Sequence, residues 1–251
     1  MDSTTRFSNR VDDYVRYRPA YPPEVIKLMQ LEMSLNDHSA VGDIGSGTGI
    51  FARQILATGC TVYGVEPNVA MRRAGEQFLS DFANFKSVAG TAENTRLAAE
   101  SVNLITAAQA FHWFDAPIAK AEFERILRAD GFVLLIWNEP RLDGNAFSAD
   151  YGRFLAKQGE NYENIRKSYA HEATISKFFN DDFTVKSYSN YQSLDYAGFR
   201  GRVLSSSYMP IARDDRYPAM IADLNQIFAQ HEANGKVTIS YDTKVFYGKF
   251  K

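Results

Sequence analysis

Between Val41 and Ala52 an apolar run stops at Asp43, crosses Gly45, Gly47 and Gly49, and resumes with helical spacing at Ile50, Phe51 and Ala52. The pattern reads as strand, tight loop and helix. Glycines at alternate positions let the backbone take positive φ and let a ligand come within contact distance of the main chain. The same alternation continues downstream. Residues 41–44, 61–65, 85–89, 104–108 and 132–137 read as short apolar strands, and 50–57, 70–79 and 116–127 as helices between them. Such strands need a parallel sheet covered on both faces. The expected fold class is therefore α/β: a doubly wound, Rossmann-like sheet of seven strands, mostly parallel, with its ligand crevice at the carboxyl ends of the strands.

The flanks differ in character. Residues 7–21 mix Phe7, Tyr14, Tyr17 and Tyr21 with Arg10, Arg16 and Arg18, and end in Pro19 and Pro22-Pro23. Two readings stand side by side: a surface helix with an aromatic side on the body, or a lid whose Tyr and Arg residues face a ligand. Residues 24–35 carry Val25, Leu28, Met29 and Leu31 at helical spacing. Beyond Trp137, residues 147–155, 165–179, 196–204 and 217–233 read as helices, 183–191 as a strand, and 237–241 and 245–250 as two strand-like runs around Asp242-Thr243. The expected organisation is one domain over 1–251. It has an N-terminal lid and helix in 1–35, a cofactor-binding core in 40–138, cap helices with one sheet strand in 139–235, and antiparallel strands in 236–251 completing the sheet edge.

Charge and cysteine content narrow the function. With 30 acids against 28 bases and no basic cluster beyond Arg72-Arg73, the chain lacks the concentrated positive face that nucleic acid requires. The single cysteine, Cys60, excludes an intrachain disulfide and a cysteine-rich zinc site, and is expected to be a buried thiol. No metal is expected. The N-terminus has no apolar segment behind a basic start, and no run approaches the roughly 20 apolar residues that span a bilayer. A soluble cytoplasmic protein, monomer or homodimer, with no membrane partner is the expectation.

The loop is Gly-x-Gly-x-Gly rather than the Gly-x-Gly-x-x-Gly of dinucleotide binders. Asp43 stands two residues before it, where an arriving pyrophosphate would be repelled. An acid there suits a ligand with a positive group. Glu66 ends the second strand, 21 residues beyond Gly45, and a carboxylate so placed can accept hydrogen bonds from both hydroxyls of a ribose. After the third strand, Thr91-Ala92-Glu93 offers an amide and a short acid to an adenine edge. The fourth strand runs into Gln109-Ala110-Phe111-His112-Trp113. His112 is a candidate base there because an imidazole titrates near neutrality, although most lone histidines are simply satisfied side chains.

Together, the acid before the glycine loop, the acid ending strand two, Ala92-Glu93 and the run Arg125-Ile126-Leu127-Arg128-Ala129-Asp130-Gly131 entering strand five resemble the class I S-adenosylmethionine-dependent methyltransferases. The likeness covers residues 41–138. It is nearest to small-molecule enzymes of the trans-aconitate and quinone-pathway kind, and extends loosely to the lid at Tyr17-Arg18-Pro19-Ala20-Tyr21-Pro22 and to Arg202–Tyr208 in the cap. Asn103 and Ala129-Asp130 depart from that family's usual Asp and Pro-Gly, at places that are structural in it.

The resemblance implies S-adenosylmethionine as cofactor, leaving as S-adenosylhomocysteine. Asp43 would lie near the methionyl ammonium, with the amides of Gly45, Ser46 and Gly47 against the methionyl part. Glu66, with Pro67 beside it, would hold the ribose. Asn68 and Met71 would flank ribose and adenine, Ala92 and Glu93 would read the adenine edge, Gln109 would border the methionyl end, and Arg18 would pair with the cofactor's carboxylate. Tyr14, Tyr17, Trp113, Trp137 and Tyr208 are the candidate walls of a small-molecule acceptor site. Arg18 and Arg202 suit an anionic acceptor, with cofactor or ion-pair roles as their plainer use. The implied reaction is an SN2 methyl transfer to oxygen, nitrogen or carbon. A nicotinamide-dependent oxidoreductase on a similar fold and a non-catalytic adaptor remain as alternatives.

Overall fold

The computed structural model describes residues 11–164 and 172–250. Phe7 and Arg10, and residues 165–171 of the helix expected over 165–179, lie outside the described residues. Two helices lead, α1 (Val11–Tyr17) and α2 (Pro23–Met33). Proline in the first turn of α2 costs no hydrogen bond, since that N–H has no helical partner. Val25, Leu28, Met29 and Met33 are buried, whereas Leu31, expected on the same face, points outward.

The alternating core then forms as its pattern requires. β1 (Ala40–Ile44), α3 (Ile50–Leu56), β2 (Thr61–Val65), α4 (Val69–Phe78), β3 (Phe85–Val88), β4 (Val102–Ala108), α5 (Ala116–Ile126) and β5 (Leu127–Pro140) follow in order. β1 pairs in parallel with β2 and β4, β2 with β3, and β4 with β5. β5 is longer than the expected 132–137. It starts at Leu127, which pairs with Val102 before the register shifts at Leu104, and it runs out to Pro140 along its far neighbour.

The second half supplies α6 (Ala146–Gln158), α7 (Glu172–Phe179), β6 (Thr184–Leu194), α8 (Tyr196–Leu204), α9 (Tyr217–His231) and β7 (Val237–Lys249). The expected pair of C-terminal strands is one continuous strand. Neither Asp242 nor Thr243 supplies the glycine or proline a tight turn favours, and Thr243 is fully buried with its hydroxyl donating to Asn138 Oδ1 at 2.5 Å. β7 runs antiparallel to β5 on one side and to β6 on the other, so β6, not the C-terminus, is the sheet edge. The seven-stranded order is β3-β2-β1-β4-β5-β7-β6.

Alternate residues of β5 feed opposite faces of the sheet. Val133, Leu135 and Trp137 enter a core with Phe111, Phe123, Phe178 and Phe246, whereas Leu134 and Ile136 join Val25, Phe51 and Leu104. A third cluster, built from α6, α8, α9 and the start of β7, forms the cap. Cys60 is a buried thiol, as expected. Among the described residues no helix is long and apolar enough to cross a membrane.

Candidate active site

The carboxyl ends of β1, β2, β4 and β5, the segment after α1 and the cap enclose a cavity of about 520 Å³. β1 delivers Asp43, 1 % exposed, with Oδ1 accepting from Thr106 Oγ1 at 2.7 Å. Burial pushes its carboxyl up to about 7. The Thr106 hydrogen bond opposes that rise, and the neighbouring Glu66 charge adds to it.

The loop after β1 is held by its backbone. Gly45 N–H donates to Val65 O at 2.8 Å. Gly45 has φ +68°, and a Cβ there would lie 2.6 Å from Ala110 Cβ, so glycine is required on both counts. Glu66 ties this loop to the end of β2: Oε2 accepts from Gly47 N–H at 2.9 Å and Oε1 from Asn68 N–H at 2.8 Å. Burial pushes the Glu66 carboxyl up, while those two amides and Arg72 pull it down. Asn68 caps α4, accepting from Ala70 N–H at 2.9 Å and Met71 N–H at 3.0 Å. Glu93 accepts from Asp115 N–H at 2.8 Å. Gln109, at φ +55°, donates through Nε2 to Asn138 O at 2.9 Å.

Every residue expected at the cofactor lines this one cavity. Arg18 comes from behind α1, and Asp43, Gly45, Ser46 and Gly47 from β1 and its loop. Glu66, Pro67, Asn68 and Met71 come from the β2–α4 junction, and Ala92, Glu93 and Gln109 from beyond β3 and β4. Two buried polar atoms on the wall, Arg18 Nε and Thr48 Oγ1, have no hydrogen-bond partner among the described residues, the condition in which a wall is completed by a polar ligand.

The expected acceptor residues divide. Tyr14, Trp113 and Tyr208 line the cavity; Tyr17, Trp137 and His112 do not. Trp137 falls on the buried parity of β5 and packs edge-on to Phe111 and Phe246 at centroid distances of 6.3 and 5.8 Å. Tyr17 covers Gly201, so closely that a Cβ there would stand 2.1 Å from its ring. His112 sits in a 3-10 turn over Phe111–Trp113 and borders a separate cavity of about 300 Å³ with Trp137 and Ile175. The turn's tight pitch points neighbours His112 and Trp113 in different directions, a distinction that strand–helix patterning does not carry.

Several lining residues escaped the sequence pattern. Tyr162, Glu139 and Lys244 all face the cavity, with Lys244 Nζ 2.8 Å from Glu139 Oε2. The meeting of Glu139 and Lys244 depends on the β5–β7 register, which joins residues about a hundred positions apart and leaves no local signal. Arg202 lines the cavity from α8, yet is 4 % exposed.

Residues 42–135 match the methyltransferase domain family. This core resembles a methyltransferase domain. The chain is similar to an uncharacterized methyltransferase of Schizosaccharomyces pombe, 32% identical over 53% of this chain and 52% of its own length. One from Mycobacterium bovis, also uncharacterized, is 31% identical over 63% of this chain and 62% of its own length. The chain thus spans about half to two thirds of the length of the curated relatives it matches. In fold it is similar to a candidate type II methyltransferase from Anaeromyxobacter dehalogenans, with TM-score 0.68, 17% identity, and 93% and 98% of the two chains covered. It is also similar to the YcgJ protein of Bacillus subtilis, with TM-score 0.55, 18% identity, and 90% and 97% covered. A likeness to methyltransferase domains implies use of S-adenosylmethionine.

Proposed function

We propose that the chain transfers the methyl group of S-adenosylmethionine to an oxygen, nitrogen or carbon of a small-molecule acceptor held in the same cavity. The observation that carries this reading is the paired acids Asp43 and Glu66 on either side of a glycine loop whose amides are already fixed. That wall suits a nucleoside with a positive group and no phosphates, and a pyrophosphate would meet two carboxylates, which counts against the oxidoreductase alternative.

In this reading Asp43 faces the ammonium, and Glu66, still latched to Gly47 and Asn68, turns its remaining lone pairs to the ribose hydroxyls. Asn68 and Met71 flank ribose and adenine, Ala92 and Glu93 meet the adenine edge, and Gln109 borders the methionyl end. Arg18 Nε, buried and without a partner among the described residues, takes the cofactor carboxylate. The bound cofactor supplies an already activated methyl on a sulfonium. The protein's own contribution is alignment and exclusion of water, which is worth about 7–11 kcal/mol of barrier where the geometry is near-attack. His112 lies outside the cavity, so it takes no part as a base in this scheme. Near-neutral charge favours a small acceptor over nucleic acid, and the working form we propose is a cytoplasmic monomer or homodimer.

Titration calorimetry with S-adenosylhomocysteine tests the cofactor half, and a metabolite-extract screen with labelled donor tests the transfer. Micromolar binding followed by a labelled product is expected. No heat at millimolar ligand overturns the reading.

A further inference from the structure

Arg202 is a charge without a counter-charge among the described residues. Its guanidinium is held by neutral groups: Nε donates to Tyr241 Oη at 3.1 Å and Nη1 to Ser206 Oγ at 3.1 Å. It makes no ion pair among the described residues, and Nη2 makes no hydrogen bond there. A buried cation normally stays in a protein only when paired. The wall's lysine, Lys244, already has Glu139. Arg202 is also oriented from behind: Tyr241 Oη donates onward to Gln192 Oε1 at 2.9 Å, and Gln192 Nε2 donates to Tyr17 O at 3.1 Å. Such a relay aims a guanidinium, since an arginine needed only for packing requires no fixed hydrogen-bond chain.

The cavity is polarised as a result. Asp43, Glu66 and Glu93 stand on the glycine-loop side, and Arg18 and Arg202 on the cap side. The two arginines are not equivalent. Arg18 Nη2 is tied to Ser205 O at 2.9 Å, and Tyr21 feels the charges of both Arg18 and Asp43, which puts Arg18 between the cap and Asp43. Arg202 instead packs among Tyr151, Tyr208 and Tyr241 of the cap.

We infer that Arg202 is the specificity-determining residue for the acceptor, anchoring a carboxylate through the unused edge of its guanidinium. This deepens, and rests on, the methyltransferase reading above. A monoanion balances one unpaired cation, and a planar carboxylate matches the guanidinium fork. With Arg18 taken by the cofactor carboxylate, a phosphate dianion would leave net negative charge beside Arg202. Tyr14, Tyr162, Tyr208 and Trp113 add ring walls beside the anchor, so a small aromatic or unsaturated acid fits.

The test loads the protein with S-adenosylhomocysteine and titrates matched probes by calorimetry: 4-hydroxyphenylacetate against 4-hydroxyphenylacetamide, cinnamate against cinnamamide, and phenyl phosphate. Carboxylates are expected to bind at least tenfold tighter than their amides. Arg202→Met should abolish that preference and Arg202→Lys should keep part of it, with S-adenosylhomocysteine affinity within twofold of wild type in both. Equal binding of acid and amide, tighter binding of phenyl phosphate, no carboxylate bound at millimolar concentration, or a carboxylate preference surviving in Arg202→Met overturns the inference. So does a tenfold loss of S-adenosylhomocysteine affinity in Arg202→Lys, which would assign Arg202 to the cofactor. The acid–amide comparison uses wild-type protein alone and stands even if a variant fails to fold. If S-adenosylhomocysteine itself does not bind wild type, the underlying reading fails, and not merely this anchor.

Discussion

Replacing Asp43 by asparagine should make the ligand-free protein more stable, and by an amount that grows with pH. The wild-type carboxyl has an ordinary value of 3.8 and is pushed up to about 7 by burial. The folded state therefore holds this proton more tightly than the unfolded chain does. The group's contribution is fully present below about pH 4 and is lost as pH rises to about 7, because the unfolded chain gains from ionisation over that interval while the folded state resists it. At about 1.4 kcal/mol per tenfold, the whole loss is about 4 kcal/mol, of which about 3 kcal/mol falls between pH 5 and pH 8. The amide in Asp43→Asn would keep the shape and the pairing with Thr106 but cannot ionise, so the variant escapes the loss. Urea unfolding of both proteins at several pH values gives the difference directly, with other titrating groups cancelling except Glu66. That carboxyl loses a repulsive neighbour and reinforces the trend at neutral pH. A wild-type-to-variant difference that stays flat between pH 5 and 8 would refute the claim that Asp43 is a buried, reluctantly ionised acid. The same variant should bind S-adenosylhomocysteine at least tenfold more weakly at pH 8, so stability and binding move in opposite directions.

Glu66→Gln leaves one of the two backbone amides at Gly47 and Asn68 facing an NH2 group and the other with only a neutral acceptor. At about 1.5–3 kcal/mol for a hydrogen bond to a charged group, affinity for S-adenosylhomocysteine should fall about 10- to 100-fold by calorimetry, and an unchanged affinity would dissociate the latch from the site. Gly201→Ala improves helix propensity by up to about 1 kcal/mol, yet its Cβ collides with Tyr17. Limited proteolysis should show α1 released, and affinity should drop as Arg18 and Tyr14 leave the wall; a variant with a raised Tm and wild-type binding would contradict that packing. His112→Ala should leave methyl transfer unchanged once an acceptor is in hand, whereas a 10²-fold or larger loss would restore it as a base.

The portion of the site nearest the glycine loop was legible in sequence because local chemistry specifies it. Asp43, Glu66 and Asn68 each end a strand or cap a helix, so their position follows from the elements they terminate. Trp137 and Tyr17 were misplaced for the opposite reason. Whether a strand residue reaches the crevice or the core depends on parity at the strand end, and β5 runs three residues past Trp137 to Asn138, Glu139 and Pro140. Tyr17 depends on a glycine 184 residues later, as 201 against 17. The continuous β7 was likewise hidden, because Asp242-Thr243 has turn-like polarity, while the burial of Thr243 against Asn138 is a tertiary fact.

β7 also sets an order of events during synthesis. It is inserted between β5 and β6, so when β5 emerges from the ribosome its outer edge has no partner until residues 237–249 follow. Until then a strand carrying Val133, Leu135 and Trp137 presents an unpaired, apolar edge of the kind that recruits other chains. The cap waits on the same strand, since Val237, Ile239 and Tyr241 belong to its core. Loss of the last strand would therefore strike the folding yield of the whole chain, well beyond the residues removed.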